Sequence, residues 1–275
     1  MREMPRLGQG TWRMGESRFA WKTELHALRA GIDAGMALID TAEMYGNGRA
    51  ETLVGEAILG LPRENVYLVS KVYPHNAGGA RLIQSCEASL TRLGVEALDL
   101  YLLHWPGAIP LAETVAGMEG LVRAGKILRW GVSNFDTGDM QSLFAVPGGD
   151  RCAANQVLYH LGSRGIEVDL LPWLRARQIP AMAYCPLAQA GSLRRGLADS
   201  AAVAAVAQKH EITPMQALLG FVLAQPGLCA IPKAAVPAHA RQNAAMATIP
   251  LDAEDLQTLN AAFPAPAKKV PLDIE

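Results

Sequence analysis

The chain has 275 residues, of which 50% are hydrophobic and 19% charged, and its formal net charge is -1. That length suits one large domain with a well-buried core, and the near-zero charge gives neither nucleic acid nor an acidic membrane surface a reason to bind. No apolar stretch approaches the length of a membrane span, and no signal-peptide core stands behind Met1 to Arg6, so the expected location is the cytoplasm.

Strand and helix patterns alternate along the chain. A strand is expected at Leu7 to Gly10. A helix follows from Trp21 to Ala34, with Leu25, Leu28, Ala30 and Ile32 on its apolar face and Gly35 as its stop. The strand Ala37 to Asp40 precedes a helix from Arg49 to Leu59, ended by Gly60 and Pro62. The strand Val66 to Lys71 precedes a helix from Ala80 to Leu93, closed by Gly94. The run Leu98 to His104 precedes a helix from Leu111 to Ala124, closed by Gly125. Ile127 to Val132 reads as the fifth strand, with Asp136 or Thr137 placed to cap a short helix. The remaining strands are Ala153 to Val157, Ala181 to Tyr184 and Leu228 to Ile231. Helices are expected at Val168 to Arg177, Ala201 to His210, Pro214 to Ala224 and Pro237 to Ala247, with Asp252 to Ala262 as a C-terminal extra. Eight strands alternating with helices favour an α/β fold of the closed (β/α)8 TIM barrel type over a doubly wound sheet. No linker divides the chain, so residues 1–275 read as a single domain with a short tail beginning near Pro264.

Two nucleotide motifs fail on inspection. Gly8-Gln9-Gly10 opens like a dinucleotide fingerprint, but Arg13 stands where its third glycine belongs. Gly120 to Gly125-Lys126 has phosphate-loop spacing, but Ile127 replaces the Ser or Thr, and the segment joins helix to strand in the wrong order. Metal-dependent hydrolysis is also poorly supported. Six histidines are present without a His-X-His pair, whereas such sites cluster His and Asp at strand ends. Cys86, Cys152, Cys185 and Cys229 lack the paired spacing of a zinc site or a disulfide framework and read as reduced core thiols.

Asp40, Lys71 and His104 each close an apolar run, and Tyr45 follows Asp40 within a few residues. On neighbouring parallel strands these four side chains would collect at the barrel rim where such folds do their chemistry. A phenol titrates near pH 10, and a nearby ammonium is expected to lower that value. Lys71 would supply the ammonium, Asp40 would hold Lys71, and a neutral His104 would orient a carbonyl oxygen toward Tyr45. Each residue alone has a plainer explanation, since a strand-end Asp can cap a turn and Tyr or His can simply line a rim.

The surrounding letters extend the pattern. Gly8-Gln9-Gly10-Thr11-Trp12, Asp40-Thr41-Ala42-Glu43-Met44-Tyr45-Gly46, Ser70-Lys71, Leu103-His104-Trp105-Pro106, Gly131-Val132-Ser133-Asn134-Phe135, Asn155-Gln156-Val157, Tyr184-Cys185-Pro186-Leu187 and Ile231-Pro232-Lys233 together resemble the aldo-keto reductase family. The segment Asn155 to Gly165 is similar to the bacterial branch that includes methylglyoxal reductases. The resemblance implies a barrel that binds NADPH in extended form, with Tyr45 as general acid and Asp40, Lys71 and His104 completing a tetrad. It also implies that Ser133, Asn134 and Gln156 hold the nicotinamide carboxamide and Tyr184 stacks on its ring. Gly10, Thr11, Trp12, Leu187, Gln189, Ile231, Lys233, Ala234, Gln242 and Asn243 would complete the cofactor contacts, and Trp12 and Trp105 would line the substrate pocket beside Tyr45 and His104. No metal is implied. Ala234 and His239 depart from the common pattern of Ser and Arg at the 2'-phosphate, so NADH use stays open beside NADPH.

What this implies is reduction of small reactive aldehydes and 2-oxoaldehydes such as methylglyoxal. The partner would be a small carbonyl compound, and the chain a monomer or weak oligomer. A nucleotide-binding, redox-sensing regulatory subunit of the same fold is the alternative. Among other residues, His75 and His160 read as rim bystanders, Trp130 and Trp173 as packing, and Glu43 as support for the tetrad. Arg194-Arg195 reads either as a charged loop near the cofactor phosphates or as an ordinary solvated pair. The tail lysines Lys268 and Lys269 read as solvated, the alternative being that they fold over the mouth and favour anionic substrates.

Overall fold

Residues two apart in a strand face the same side, and one parity of this chain's strands points inward. The computed structural model describes residues 3–275; Met1 and Arg2, which open the segment read for a signal sequence, lie outside the described residues. The strands are β1 (Gly8–Gly10), β2 (Leu38–Asp40), β3 (Tyr67–Val72), β4 (Leu100–Leu103), β5 (Trp130–Ser133), β6 (Asn155–Leu158), β7 (Ala181–Tyr184) and β8 (Leu228–Ala230). All neighbours pair in parallel and in chain order. A parallel bridge from Leu7 to Ala230 and a hydrogen bond from the Gly10 amide to the Pro232 carbonyl at 3.2 Å join the last strand to the first. The expected closed barrel is the observed one.

Leu38, Val69, Leu102, Ala154, Met182 and Cys229 pack inside the barrel. The opposite parity, including Ile39, Leu68, Tyr101, Val132 and Val157, packs outward beneath the helices. Gly131 keeps this interior closed, because a Cβ there would stand 2.4 Å from the Ala154 carbonyl oxygen.

The surrounding helices are α1 (Trp21–Asp33), α2 (Arg49–Ile58), α3 (Gly79–Leu93), α4 (Leu111–Arg123), α5 (Thr137–Phe144), α6 (Leu170–Arg175), α7 (Ser192–Ala198), α8 (Ala201–Lys209), α9 (Pro214–Leu223), α10 (Pro237–Ala245) and α11 (Ala253–Ala262). Asp136 does cap α5, in a reciprocal box with Asp139. Thr213 with Gln216 does the same for α9, satisfying amides that the first turn leaves free. Helix α7 was not expected from the sequence. It lacks a side-chain N-cap, and the Gly196 and paired arginines inside it carry no apolar period. Strand β5 begins later than Ile127, which makes only an isolated bridge to Leu98.

The tail refines a second expectation. Lys268 and Lys269 are exposed as expected, but the tail is anchored along the barrel rather than free. Lys269 pairs with Asp136 at 3.3 Å and Asp169 at 3.1 Å, Leu272 packs on the core, and the Ser163 hydroxyl donates to Asp273. Among the described residues, no helix is long and apolar enough to cross a membrane.

Candidate active site

Two residues beyond the inward-facing apolar layer, the same parity presents polar groups at the C-terminal rim. Leu38 leads to Asp40, Val69 to Lys71, Leu102 to His104, Gly131 to Ser133, Ala154 to Gln156 and Met182 to Tyr184. Tyr45 arrives from the turn after β2, where its amide donates to the Ala42 carbonyl. Gly46 and Asn47 then take left-handed φ values of 57° and 54°.

Lys71 is fully buried and uses all three of its hydrogens. Its Nζ donates to Asp40 Oδ2 at 2.7 Å, to the Thr41 carbonyl at 2.9 Å and to the Tyr45 hydroxyl at 3.1 Å. The other Asp40 oxygen accepts from Gln156 Nε2 at 2.7 Å. Burial pulls the Lys71 ammonium down and the Asp40 carboxyl up, and their contact opposes both shifts. The Tyr45 phenol moves well above its ordinary value, through burial first and then the Asp40 charge. The lowering expected from Lys71 is therefore reversed, because desolvation of the phenolate outweighs the ammonium. Since its oxygen already accepts from Lys71, Tyr45 keeps its own proton free to donate.

His104 packs edge-on against Tyr45, with ring centroids 5.7 Å apart. Burial, then Lys71, lowers its imidazole to about 2, so it is neutral across the physiological range. Its backbone oxygen accepts from Asn134 Nδ2 at 3.1 Å, and Asn134 Oδ1 accepts from the Tyr184 hydroxyl at 2.9 Å. The backbone at Asn134 is left-handed, with φ 59°. These groups border a cavity of about 340 Å³.

The aldo/keto reductase family model matches residues 6–263. The methylglyoxal reductase YeaE of Escherichia coli is 58% identical over 98% of this chain and 95% of its own length. The chain belongs to the aldo/keto reductase family. The glyoxal reductase of Bacillus subtilis is 31% identical, over 94% of this chain and 89% of its own. An aldo/keto reductase from Klebsiella pneumoniae, crystallised with NADP and acetate, superposes with a TM-score of 0.96 at 55% identity, covering 98% of this chain and 95% of that one.

In this aldo/keto reductase, the cavity is bordered by Gly10, Trp12, Asp40, Tyr45, His104, Ser133, Asn134, Gln156, Tyr184, Leu187, Gln189, Ile231 and Lys233 from the sequence reading. Thr11 is wholly buried behind it, its hydroxyl on the Asp40 carbonyl at 3.0 Å. Trp105 does not border it; the indole is 36% exposed, tilted against His104 at 4.8 Å and edge-on to Tyr73 at 5.9 Å. Ala234 is buried nearby. His239 and Gln242 are exposed on α10 and Asn243 is buried there, all outside this cavity. Glu43 accepts from the Tyr73 amide at 2.7 Å and Asn76 Nδ2 at 3.3 Å, holding the neighbouring loop.

Several lining residues carried no assigned role in the sequence. Arg13 was noted only as the residue that breaks a glycine motif. Its guanidinium lies 4.6 Å from the centre of the Trp12 ring, and its carbonyl accepts from Lys233 Nζ at 3.4 Å. Arg194, by contrast, was read within a charged loop near the cofactor phosphates; it lines the cavity from α7 and donates to the Leu187 and Ala188 carbonyls, each at 3.0 Å. Glu275 enters from the tail, where local sequence gives no signal of position.

Proposed function

We propose that this chain is an NADPH-dependent reductase of small reactive aldehydes and 2-oxoaldehydes, methylglyoxal among them, acting in the cytoplasm as one domain. The observation that carries the reading is the Lys71 ammonium held between Asp40 and the Tyr45 hydroxyl at the base of the cavity. Names of relatives point the same way, since the Escherichia coli and Bacillus subtilis proteins are a methylglyoxal and a glyoxal reductase.

The residues present fit a nicotinamide dinucleotide. Tyr184 offers a half-buried ring for the nicotinamide, and Ser133, Asn134 and Gln156 cluster beside it as amide and hydroxyl partners for the carboxamide. Arg13, Arg194 and Lys233 border the same cavity and suit phosphate oxygens. Bound there, the reduced cofactor supplies the hydride to the carbonyl carbon. Tyr45 gives its proton to the carbonyl oxygen, where negative charge develops. The Lys71 hydrogen bond then stabilises the phenolate left behind, and Asp40 keeps Lys71 in register. Neutral His104 lies beside Tyr45, placed to orient the carbonyl without competing as a proton source. All four side chains are in place, which favours catalysis over a purely nucleotide-sensing role.

Tyr45→Phe removes the donated proton and little else. Turnover of methylglyoxal, read as loss of NADPH absorbance, is expected to fall by roughly 10²- to 10⁴-fold, while NADPH binding by fluorescence persists. Full turnover in the variant would refute the assignment.

A further inference from the structure

Of the tail's charged side chains, Glu275 alone borders the cavity that holds Tyr45 and His104. Its position is fixed from several directions. The Cys185 thiol donates to the Glu275 carboxylate at 2.9 Å, and the Glu275 backbone hydrogen-bonds the Tyr184 hydroxyl. That hydroxyl bonds Asn134, which bonds the His104 carbonyl, so a short chain of hydrogen bonds ties the tail backbone at Glu275 to the backbone of His104. Upstream, Lys269 and Asp273 strap the tail to the barrel.

The charges around the cavity are not equally engaged. Asp40 is matched by Lys71. Arg194 is committed to two loop carbonyls and Lys233 faces the Arg13 carbonyl; on the proposed function these cations face the cofactor's phosphates. Lys269 is neutralised by two aspartates and draws no anion in. Among the described residues, Glu275 has only a neutral thiol partner for its charge.

We propose that Glu275 is a specificity-determining residue that disfavours carbonyl substrates carrying a carboxylate, leaving uncharged aldehydes as the preferred class. The inference rests on the reductase reading and names the substrate class of that same site. Glu275 is exposed at the cavity's edge, so a substrate carboxylate entering past it meets like charge that salt can screen.

The test compares 4-formylbenzoate with 4-formylbenzamide, a pair matched in shape and differing in charge, using full-length wild type, Glu275→Gln and Asp273→Asn with NADPH. Glu275→Gln keeps the size of the side chain and a hydrogen-bonding oxygen. Its ratio of kcat/KM for the benzoate over the benzamide is expected to rise by roughly three- to tenfold at low ionic strength. High salt should shrink that difference. Asp273→Asn removes a tail carboxylate that does not border the cavity and should leave the ratio at the wild-type value, which separates local charge from general loosening of the tail. An unchanged ratio in Glu275→Gln, or an equal rise in Asp273→Asn, would overturn the inference while the reductase reading stands. No oxidation of NADPH by wild type with either the benzamide or methylglyoxal would overturn that reading itself.

Discussion

Replacing Lys71 with Met keeps the length of the side chain and removes its charge from a site with no exposure. Among the described residues, the Asp40 carboxylate is then left buried with Gln156 as its only side-chain partner. Removing one member of a buried ion pair costs about 3–5 kcal/mol, mostly the penalty of the orphaned charge. In a chain of this length that lowers Tm by about 5–9 °C. Adding Asp40→Asn removes the orphan, so the double variant should be more stable than Lys71→Met alone, with a coupling of about 0.5–3 kcal/mol. The pH dependence has a definite sign. Burial already raises the Asp40 carboxyl, and Lys71 supplies the main opposing effect, so the variant's folded state binds the proton more tightly than its unfolded state. Its stability deficit is therefore largest above the folded value. It shrinks as pH falls through that value toward the ordinary carboxylate range near 4. Thermal scans by circular dichroism at neutral pH and near pH 5 read both effects. A double variant no more stable than Lys71→Met, or a deficit that ignores pH, would refute the reasoning.

The other predictions concern His104, the cofactor end and the barrel wall. His104 falls to about 2 when folded against about 6.5 unfolded, so acid protonates the unfolded chain first. Wild type should lose up to about 1.4 kcal/mol per pH unit below pH ~6.5 that His104→Gln does not lose. Urea titrations from neutral pH down to about 5 would show this, and overlapping acid limbs would mean that His104 is charged in the folded state. Lys233→Ala should raise the KM for NADPH about tenfold, the loss of one charge-assisted contact, with a smaller change for NADH. His239→Arg should move the NADPH to NADH ratio the other way, and steady-state kinetics with both cofactors decides. Gly131→Ala places a Cβ 2.4 Å from the Ala154 carbonyl oxygen between β5 and β6; about 1–3 kcal/mol of overpacking should lower Tm by about 2–5 °C.

The barrel was legible because its signals are local. Glycines at helix ends, such as Gly94 with φ 67°, and a buried run before each helix are readable in a window of a few residues. Asp40, Lys71 and His104 were legible for the same reason, since each ends such a run. Tyr45 required the added letters around it, because it sits on a turn rather than a strand. What escaped is what contact decides. Helix α7 forms without a side-chain N-cap. Arg13 reaches the cavity through left-handed backbone, φ 58°, in a loop where no period constrains it. The tail's path is set by partners 90 or more positions away, such as Lys269 with Asp136 and Glu275 with Cys185. No local window of sequence contains both members of those pairs.

The reversal at Tyr45 is the more instructive departure. An ammonium beside a phenol was expected to lower its value, yet burial is the largest influence and acts the other way. The two influences serve different moments of a proton transfer. Before reaction, desolvation keeps the phenol protonated, so the donor is fully loaded at neutral pH. As the proton leaves, the charge appears on the oxygen that Lys71 already contacts at 3.1 Å. That contact is preorganised by Asp40 and the Thr41 carbonyl, so no solvent has to reorganise around the new charge. Burial alone would make Tyr45 too weak an acid, and Lys71 alone would leave it partly ionised. Asp40 also repels the phenolate, so its favourable contribution must come through holding Lys71 rather than through its own charge. The separation is measurable: Asp40→Asn should cost turnover by loosening Lys71 while making the Tyr45 phenol easier to ionise. A tyrosinate absorbance titration with its midpoint shifted down in that variant would support the account, and a midpoint shifted up would overturn it.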